Sequence, residues 1–275
     1  MTTALRPLST GELLDRTFSL YRSHFGLFVG IFAIPHLVVL GYQLLQLAVT
    51  RPDIRFPNIL ASILWGMGAL FLTLIMAAAS QAAAVIAVSD LHLNRPATLS
   101  DSFNKVKGHL WGVIGISILV ALGVGAGFVA LFIPGILLAI IWCLSVPAKV
   151  LENKGVFDSM SRSVDLTKGD WGRIFVVGLL VVVLSWGVRL LFQVPIVWAT
   201  AISARGGMRS AVLGWQIVQL VAEFISQSLV GAVGTIAFSL VYYDERVRKE
   251  AFDLQLMMMT LDPPPAPPSP AQVGA

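Results

Sequence analysis

The sequence predicts an all-α fold: a polytopic membrane helix bundle of about six transmembrane helices, with amphipathic helices on its cytoplasmic surface. Two observations predict it. The 275 residues are 56% hydrophobic and only 12% charged, with a mean hydropathy of +0.82, whereas a soluble domain is nearer half apolar and a quarter charged. The apolar residues also form long runs, most of which exceed the about 20 residues that a helix needs to cross the hydrocarbon core.

Six apolar runs are predicted to be spans. They cover residues 25–49, 59–88, 111–133, 136–150, 174–199 and 211–242. The fourth is short and contains Pro147 near its end, so a buried hairpin that fails to cross is the alternative there. The triplet Ile133–Gly135 predicts a tight turn before it. Pro195 could end the fifth helix early.

The distribution of Lys and Arg predicts the orientation. Fourteen of the 19 lie on one side of the predicted spans, four lie on the other side, and Arg189 lies within a span. By the positive-inside rule the richer side, which carries both termini, is cytoplasmic. The cations lie at the ends of the apolar runs, which fits anionic lipid headgroups as partners and argues against nucleic acid.

Three segments in the cytoplasmic connections carry apolar side chains at helical spacing. Such stripes predict amphipathic helices that lie in the headgroup plane or pack against the ends of the bundle. They are formed by Leu14, Phe18, Tyr21 and Phe25, by Leu99, Phe103, Val106 and Leu110, and more weakly by Met160, Val164, Thr167 and Trp171. Each segment has a cation three residues before its last stripe position, and these candidate lipid-surface cations are Arg22, Lys107 and Lys168.

Each amphipathic segment is followed by two apolar runs, so the chain is consistent with three repeats of surface helix, span and span. Ser9 with Glu12, and Thr98 with Asp101, predict capping boxes at the starts of the first two surface helices.

The last run continues into a charged segment. Opposite charges four residues apart, as at Arg246 and Glu250, predict that its helix extends into the cytoplasm. We expect this extension to offer a docking face for a protein partner, formed by Tyr243, Val247, Ala251, Leu254 and Met258. The Pro-rich stretch "PPPAPPSPAQ" then ends the helix. The chain is therefore divided into an integral membrane domain, 1–260, and a disordered cytoplasmic tail, 261–275.

A polar stripe interrupts the last apolar run. Gln216, Gln219, Glu223 and Gln227 fall on one helix face, and the cost of an ionisable group in lipid predicts that this face points into the bundle. Apart from Lys149 at the cytoplasmic end of the fourth run, Arg189 is the only other charge within an apolar run, and it lies at a similar depth. These five residues form the candidate intramembrane polar site. Arg189 and Glu223 either pair as a structural link or line a cavity for a polar or anionic solute, and a protonated Glu223 is a third interpretation.

No pattern in the sequence predicts an enzyme. Metal-assisted hydrolysis needs clustered His and carboxylate side chains, but the four histidines, His24, His36, His92 and His109, lie in separate segments. The stretch "GISIL" departs from the G-x-S-x-G nucleophile motif at its last position. We therefore expect no catalytic residue, no cofactor and no metal. His36 follows Pro35 inside a span, and a structural hydrogen bond is preferred for it over a proton relay.

Three stretches resemble a known family: "GELLDRTFSLYRSHFG", "IPGILLAIIWCLSVPAKVLENKGVFDSMSRSVDLTKGDWGRIF" and "LVYYDERVRKEAFDLQLM". Together they resemble, over roughly residues 11–257, the bacterial membrane proteins named for the membrane domain of glycerophosphoryl diester phosphodiesterase. The enzyme chemistry of that family resides in a separate soluble barrel, for which these residues leave no room. The resemblance implies a multi-pass protein of the bacterial plasma membrane whose own activity is unassigned.

Two functional hypotheses follow. The first is a non-enzymatic accessory or scaffold protein, acting through its cytoplasmic face on lipids or a partner, near lipid or glycerophosphodiester metabolism. The second is a transporter or lipid-handling protein with a polar intramembrane cavity around Glu223. A cavity that reaches Glu223 would favour the second, and a tightly packed contact between Arg189 and Glu223 would favour the first.

Overall fold

The structure is a computed structural model that describes residues 8–49 and 59–250, and within these residues all regular structure is helical. The described chain forms ten helices: α1 Thr10–Ser23, α2 Phe25–Val49, α3 Ile59–His92, α4 Leu99–Val106, α5 Leu110–Ala130, α6 Phe132–Trp142, α7 Ser145–Glu152, α8 Val156–Thr167, α9 Trp171–Arg205 and α10 Arg209–Glu250. The predicted tail, 261–275, lies outside the described residues.

Six helical stretches are long and apolar enough to cross a membrane: α2, Leu60–His92 of α3, α5, Phe132–Glu152 (α6 with α7), α9 and Ser210–Glu250 of α10. The predicted all-α membrane bundle is confirmed. The order of surface helix, span and span also recurs three times, because α1, α4 and α8 each precede two spans.

The turn between the third and fourth spans lies earlier than predicted. α5 ends at Ala130, and Leu131 alone, in extended backbone with φ −161° and ψ 138°, separates it from α6. Ile133–Gly135 therefore lie in the first turn of α6, and the predicted turn there is wrong. Pro134 is tolerated at this position because the first N–H groups of a helix have no partner within the helix.

The fourth span is broken into two helices, α6 and α7. Its backbone groups at the break are satisfied by Ser163 of α8, whose Oγ accepts from the N–H of Leu144 at 3.1 Å and donates to the carbonyl of Ile141 at 2.6 Å. Pro147 is buried in the first turn of α7, where its ring starts the second helix without removing a hydrogen bond.

The two prolines inside long spans do not end them. α2 continues through Pro35 and α9 through Pro195, so the early end considered for the fifth helix does not occur. His36 Nδ1 lies 2.8 Å from the carbonyl oxygen of Phe32 one turn earlier, which is the structural hydrogen bond expected of it.

The core lies around α3 and α10. Half of the apolar stretch of each is buried, against 11% for α9, so α9 is a peripheral helix with most of its surface turned outwards. On α3 the buried face consists mainly of alanines, among them Ala82, Ala83 and Ala87. Small side chains let neighbouring spans approach closely, which is how helices pack where lipid is the solvent.

The surface helix α4 packs against the bundle through its predicted stripe, whereas the stripe of α1 does so only in part. Val106 of α4 is buried, and Leu99, Phe103 and Leu110 pack against the core. On α1, Tyr21 of the stripe packs against the core, whereas Phe18 is 42% exposed. The buried residues of α1, Leu13 and Thr17, lie outside the predicted stripe.

The stripe predicted for α8 is only partly turned to the bundle. Val164 is exposed, and Trp171, also exposed, is the first residue of α9. The buried residues of α8 are Ser159, Ser163, Leu166 and Thr167, of which only Thr167 belongs to the predicted stripe. Two of the four are serines, whose burial no apolar pattern can indicate.

The capping box predicted at α1 is confirmed, since Ser9 accepts from the N–H of Glu12 at 3.3 Å and Glu12 accepts from the N–H of Ser9 at 2.8 Å. At α4 only the N-cap is present: Thr98 accepts from the N–H of Asp101 at 3.2 Å, and its hydroxyl donates to the Asp101 carboxylate at 2.6 Å.

Candidate functional site

The two charges within the fifth and sixth apolar runs meet between α9 and α10. Arg189 Nη2 donates to Glu223 Oε1 at 2.7 Å. The Arg189 side chain is 45% exposed and that of Glu223 is 32% exposed. The pair is therefore in direct contact but open on one side, and it is not packed into the interior.

Two amides complete the environment of Glu223. Gln193 Nε2 donates to Oε2 at 3.1 Å and Gln227 Nε2 donates to Oε1 at 2.8 Å. Gln193 lies one turn after Arg189 on α9, and Gln227 lies one turn after Glu223 on α10. All three neighbours donate, which fits a carboxylate that acts only as an acceptor.

A cavity of about 580 Å³ opens beside this pair. It lies between α2, α9 and α10, and apart from Leu47 and Leu220 its lining is polar: Gln43, Gln46, Arg189, Gln193, Gln216, Gln219 and Glu223. Four of the five predicted site residues line it, and Gln227 adjoins it through its bond to Glu223. We call this space the polar cavity.

Three residues of the site were missed by sequence reasoning. Gln193 is one helical turn from Arg189 and could have been found by extending the search for polar residues around that charge. Gln43 and Gln46 lie three apart at the end of the first span, so they share a helix face. Their place opposite α10 comes from tertiary packing, which no local pattern shows.

A second cavity, of about 220 Å³, lies along the boundary of α9 and α10. Arg189 lines both cavities. The second is lined mostly by apolar or small residues, among them Trp186, Gly231 and Gly234, and includes Ser226. The Oγ atom of Ser226 is buried and has no hydrogen-bond partner among the described residues. We call this space the interhelix groove.

A second ionic contact joins the same two helices, near the start of α9 and the end of α10. Arg173 of α9 contacts Asp244 and Glu245 of α10, both at 2.5 Å. Arg173 and Arg189 are 16 residues apart, which is about 24 Å along a helix. The two contacts therefore hold α9 to α10 at separate levels, and the polar cavity lies beside the middle of α9, which ends at Arg205.

The charged extension of α10 forms an ion network with the surface helices. Glu152 accepts from Arg162 at 2.9 Å and from the hydroxyl of Tyr242 at 2.6 Å, and Arg162 also pairs with Glu250. Burial alone would lower the pKa of Arg162, but its bonds to these carboxylates raise the pKa above its usual value. The guanidinium thus stays charged and links α7, α8 and α10.

Other bonds fix the extension to the start of the chain and to α8. The carbonyl of Leu8 accepts from Arg173 at 3.1 Å and from Arg248 at 2.6 Å, and its N–H donates to Asp244 at 2.6 Å. Lys249 Nζ donates to the carbonyl of Leu166 at 2.5 Å at the end of α8, where a cation is favoured by the helix dipole.

The predicted docking face on this extension is already covered by the protein itself. Tyr243 and Val247 are buried, with the Tyr243 hydroxyl 2.7 Å from Ser89 Oγ and its ring stacked on His92. The proposal of an open face at these two positions is therefore wrong. The other three predicted residues, Ala251, Leu254 and Met258, lie outside the described residues.

The candidate lipid-surface cations are not part of the polar cavity. Arg22, Lys107 and Lys168 are exposed and lie at the ends of α1, α4 and α8. Among the described residues, no group of three or more His, Cys, Asp or Glu side chains is placed to hold a metal ion.

No protein family, curated protein or solved structure matches the chain.

Proposed function

We propose that this chain is a non-enzymatic, lipid-handling protein that binds an amphiphile with its headgroup in the polar cavity. The observation that carries the proposal is a space of about 580 Å³, lined by seven polar side chains, between three membrane spans. Ligand cavities generally measure about 300–1,000 Å³. Polar residues within a span are costly in lipid and most often mark a path or a binding site.

The openness of the ion pair favours this function over a purely structural one. A pair that only pinned two helices would be expected to be buried and fully satisfied, whereas about half of the Arg189 side chain is exposed. Arg189 and Glu223 are therefore both linked to each other and available to a bound molecule.

The surroundings of the cavity suit an amphiphile better than a free solute. The outward surface of α9 beside Arg189 is apolar, and Leu190, Leu191 and Val194 are exposed on it. In a bilayer such a surface contacts acyl chains. A lipid could therefore reach the polar cavity sideways, with its headgroup between the helices and its chains against α9.

The resemblance to the glycerophosphodiesterase-associated membrane family supports a role near lipid or glycerophosphodiester metabolism. We further propose that the protein lies in the plasma membrane with both termini in the cytoplasm. The clustering of Arg162, Arg173, Arg246, Arg248 and Lys249 at one end of the bundle supports this orientation through the positive-inside rule.

An accessory or scaffold role is the second candidate. It is favoured by the exposed cations Arg22, Lys107 and Lys168, which suit contact with anionic lipid or with a protein partner at the cytoplasmic face. This role and lipid handling are compatible, since one concerns the surface and the other the interior of the bundle.

Native mass spectrometry of the protein extracted from its own membrane tests the proposal. Gln219→Trp fills the polar cavity, and Val218→Trp places the same side chain on an exposed position of the same helix. We expect co-purified lipid on the wild type and on the Val218 variant, and much less on the Gln219 variant. Equal lipid on all three would contradict the proposal. Lipid profiling of a deletion strain would then identify the class affected in the cell.

A further inference from the structure

Three glutamines of the polar cavity have side-chain amides without a hydrogen-bond partner among the described residues. Gln43, Gln216 and Gln219 make no side-chain hydrogen bond within the described part of the chain, whereas Gln193 and Gln227 are committed to Glu223. A Gln side chain has two N–H donors and a carbonyl acceptor. The cavity therefore presents both kinds of hydrogen-bonding group to a ligand, from α2 on one side and α10 on the other.

The charges of the described lining cancel. Among the described residues the lining contains one cation and one anion, Arg189 and Glu223, and they are bonded to each other. An anionic headgroup would have to compete with Glu223 for Arg189. The guanidinium still has further N–H donors, but the described lining offers no net positive charge to hold a phosphate.

A quaternary ammonium headgroup also lacks its usual partners. Such groups are recognised by the faces of aromatic rings, and the lining of the polar cavity in the described residues contains no aromatic side chain. Glu223, the one anion among the described lining residues, already has three donors.

We propose that the polar cavity recognises a neutral, hydroxyl-rich headgroup, such as that of a glycosyl lipid. This rests on the proposed lipid-handling function and names its substrate class. A hydroxyl both donates and accepts, as an amide does, so a sugar ring can match Gln43, Gln216 and Gln219 at once without a charge of its own. The interhelix groove is also lined by Arg189 and holds the start of an acyl chain.

The test uses the full chain in nanodiscs of phosphatidylcholine, because a maltoside detergent would itself offer a sugar headgroup. The discs are doped at equal mole fraction with glucosyl diacylglycerol, phosphatidic acid or phosphatidylethanolamine of the same acyl chains. Lipid retained on the released protein is measured by native mass spectrometry. We expect the glucosyl lipid to be retained at least about tenfold better than the other two, the preference that one or two hydrogen bonds supply.

Three variants test whether the lipid preference depends on the amides of the polar cavity. Gln216→Leu combined with Gln219→Leu should abolish the preference, and Gln81→Leu, a matched change on α3 outside the polar cavity, should keep it. Gln219→Arg gives the cavity a net positive charge. It should therefore switch the preference to phosphatidic acid, a gain that a misfolded protein could not show.

The outcomes separate the two proposals. Wild-type retention of all three lipids alike, or a preference for phosphatidic acid, overturns the headgroup inference but leaves amphiphile binding intact. Retention of none of them, with lipid content also unaffected by Gln219→Trp, overturns both. A preference that survives the double Gln→Leu change places recognition elsewhere and overturns the inference.

Discussion

The Tyr242 hydroxyl donates to Glu152 Oε1 at 2.6 Å and so joins the last span to the broken fourth span. Arg162 of α8 donates to the same carboxylate at 2.9 Å. Three helices that are separate in the sequence therefore meet at one acidic side chain. Tyr242 is fully buried, which makes this bond a measurable part of the stability of the bundle.

Tyr242→Phe should lower the free energy of unfolding by about 1.5–3 kcal/mol, because the hydroxyl bonds to a charged acceptor. Tyr42→Phe is a matched control. Its hydroxyl donates to the neutral carbonyl of Trp65 at 3.0 Å, so the loss should be about 1 kcal/mol. Chemical unfolding in a mild detergent measures both. Equal losses would show that the charge on Glu152 adds nothing.

Removing one charge of the cavity pair should cost more than removing both. Glu223→Gln leaves Arg189 uncompensated, and Arg189→Gln leaves Glu223 with only its amide donors. The pair is partly exposed, so each loss should lie below the about 3–5 kcal/mol typical of a buried pair. The double variant should be more stable than the worse single one.

Thermal unfolding of the four proteins in one detergent provides this double-mutant cycle. The control is Arg189→Gln combined with Gln81→Leu, which are not in contact and should give additive losses. Additive losses for Arg189 and Glu223 themselves would mean that the two charges act independently of each other.

Phe103→Glu and Phe18→Glu should have different effects. Phe103 packs against the core, so a carboxylate there should destabilise the bundle by on the order of 3 kcal/mol. Phe18 is exposed on α1, and its replacement should leave unfolding in detergent nearly unchanged.

In liposomes, however, Phe18→Glu should weaken the binding of α1 to the bilayer surface. Limited proteolysis of the segment measures this, with Ser19→Glu on an exposed position of the same helix as the control. Equal protection of α1 in the wild type and in both variants would show that Phe18 does not contact lipid.

The proposed orientation predicts opposite labelling of two positions. In a Cys143→Ala background, a cysteine at Lys107 should react with an impermeant thiol reagent only from the cytoplasmic side. A cysteine at Arg55, which lies outside the described residues, should react only from the other side. Labelling of both positions from the same side would contradict the six-span topology.

The spans could be predicted because membrane solvation leaves a strong local pattern: about 20 apolar residues must follow one another. The break between α6 and α7 could not, since it is stabilised by Ser163 from another helix. The buried face of α8 was also missed, because two of its residues are serines. Ser163 makes these tertiary bonds, whereas Ser159 donates to the carbonyl of Gly155 one turn earlier, and apolarity indicates the burial of neither.

The sequence predicted both charged residues of the candidate site but only some of its glutamines. A carboxylate in an apolar run is rare enough to point to a partner, and helix geometry placed Arg189 and Glu223 at similar depths. The neighbouring amides on α2 required knowledge of which spans are adjacent. That depends on contacts between side chains far apart in the chain, such as Gly231 against Phe32.

The bonds at Leu8 have a consequence for biosynthesis. Its carbonyl waits for Arg248, 240 residues later, and at about 5–20 residues per second the ribosome needs about 12–48 s to make that stretch. Arg173 of α9 is made earlier, but Asp244 and Arg248 become available to Leu8 only when α10 is complete. A nascent chain halted before Asp244 should be a favoured target for membrane-associated proteases.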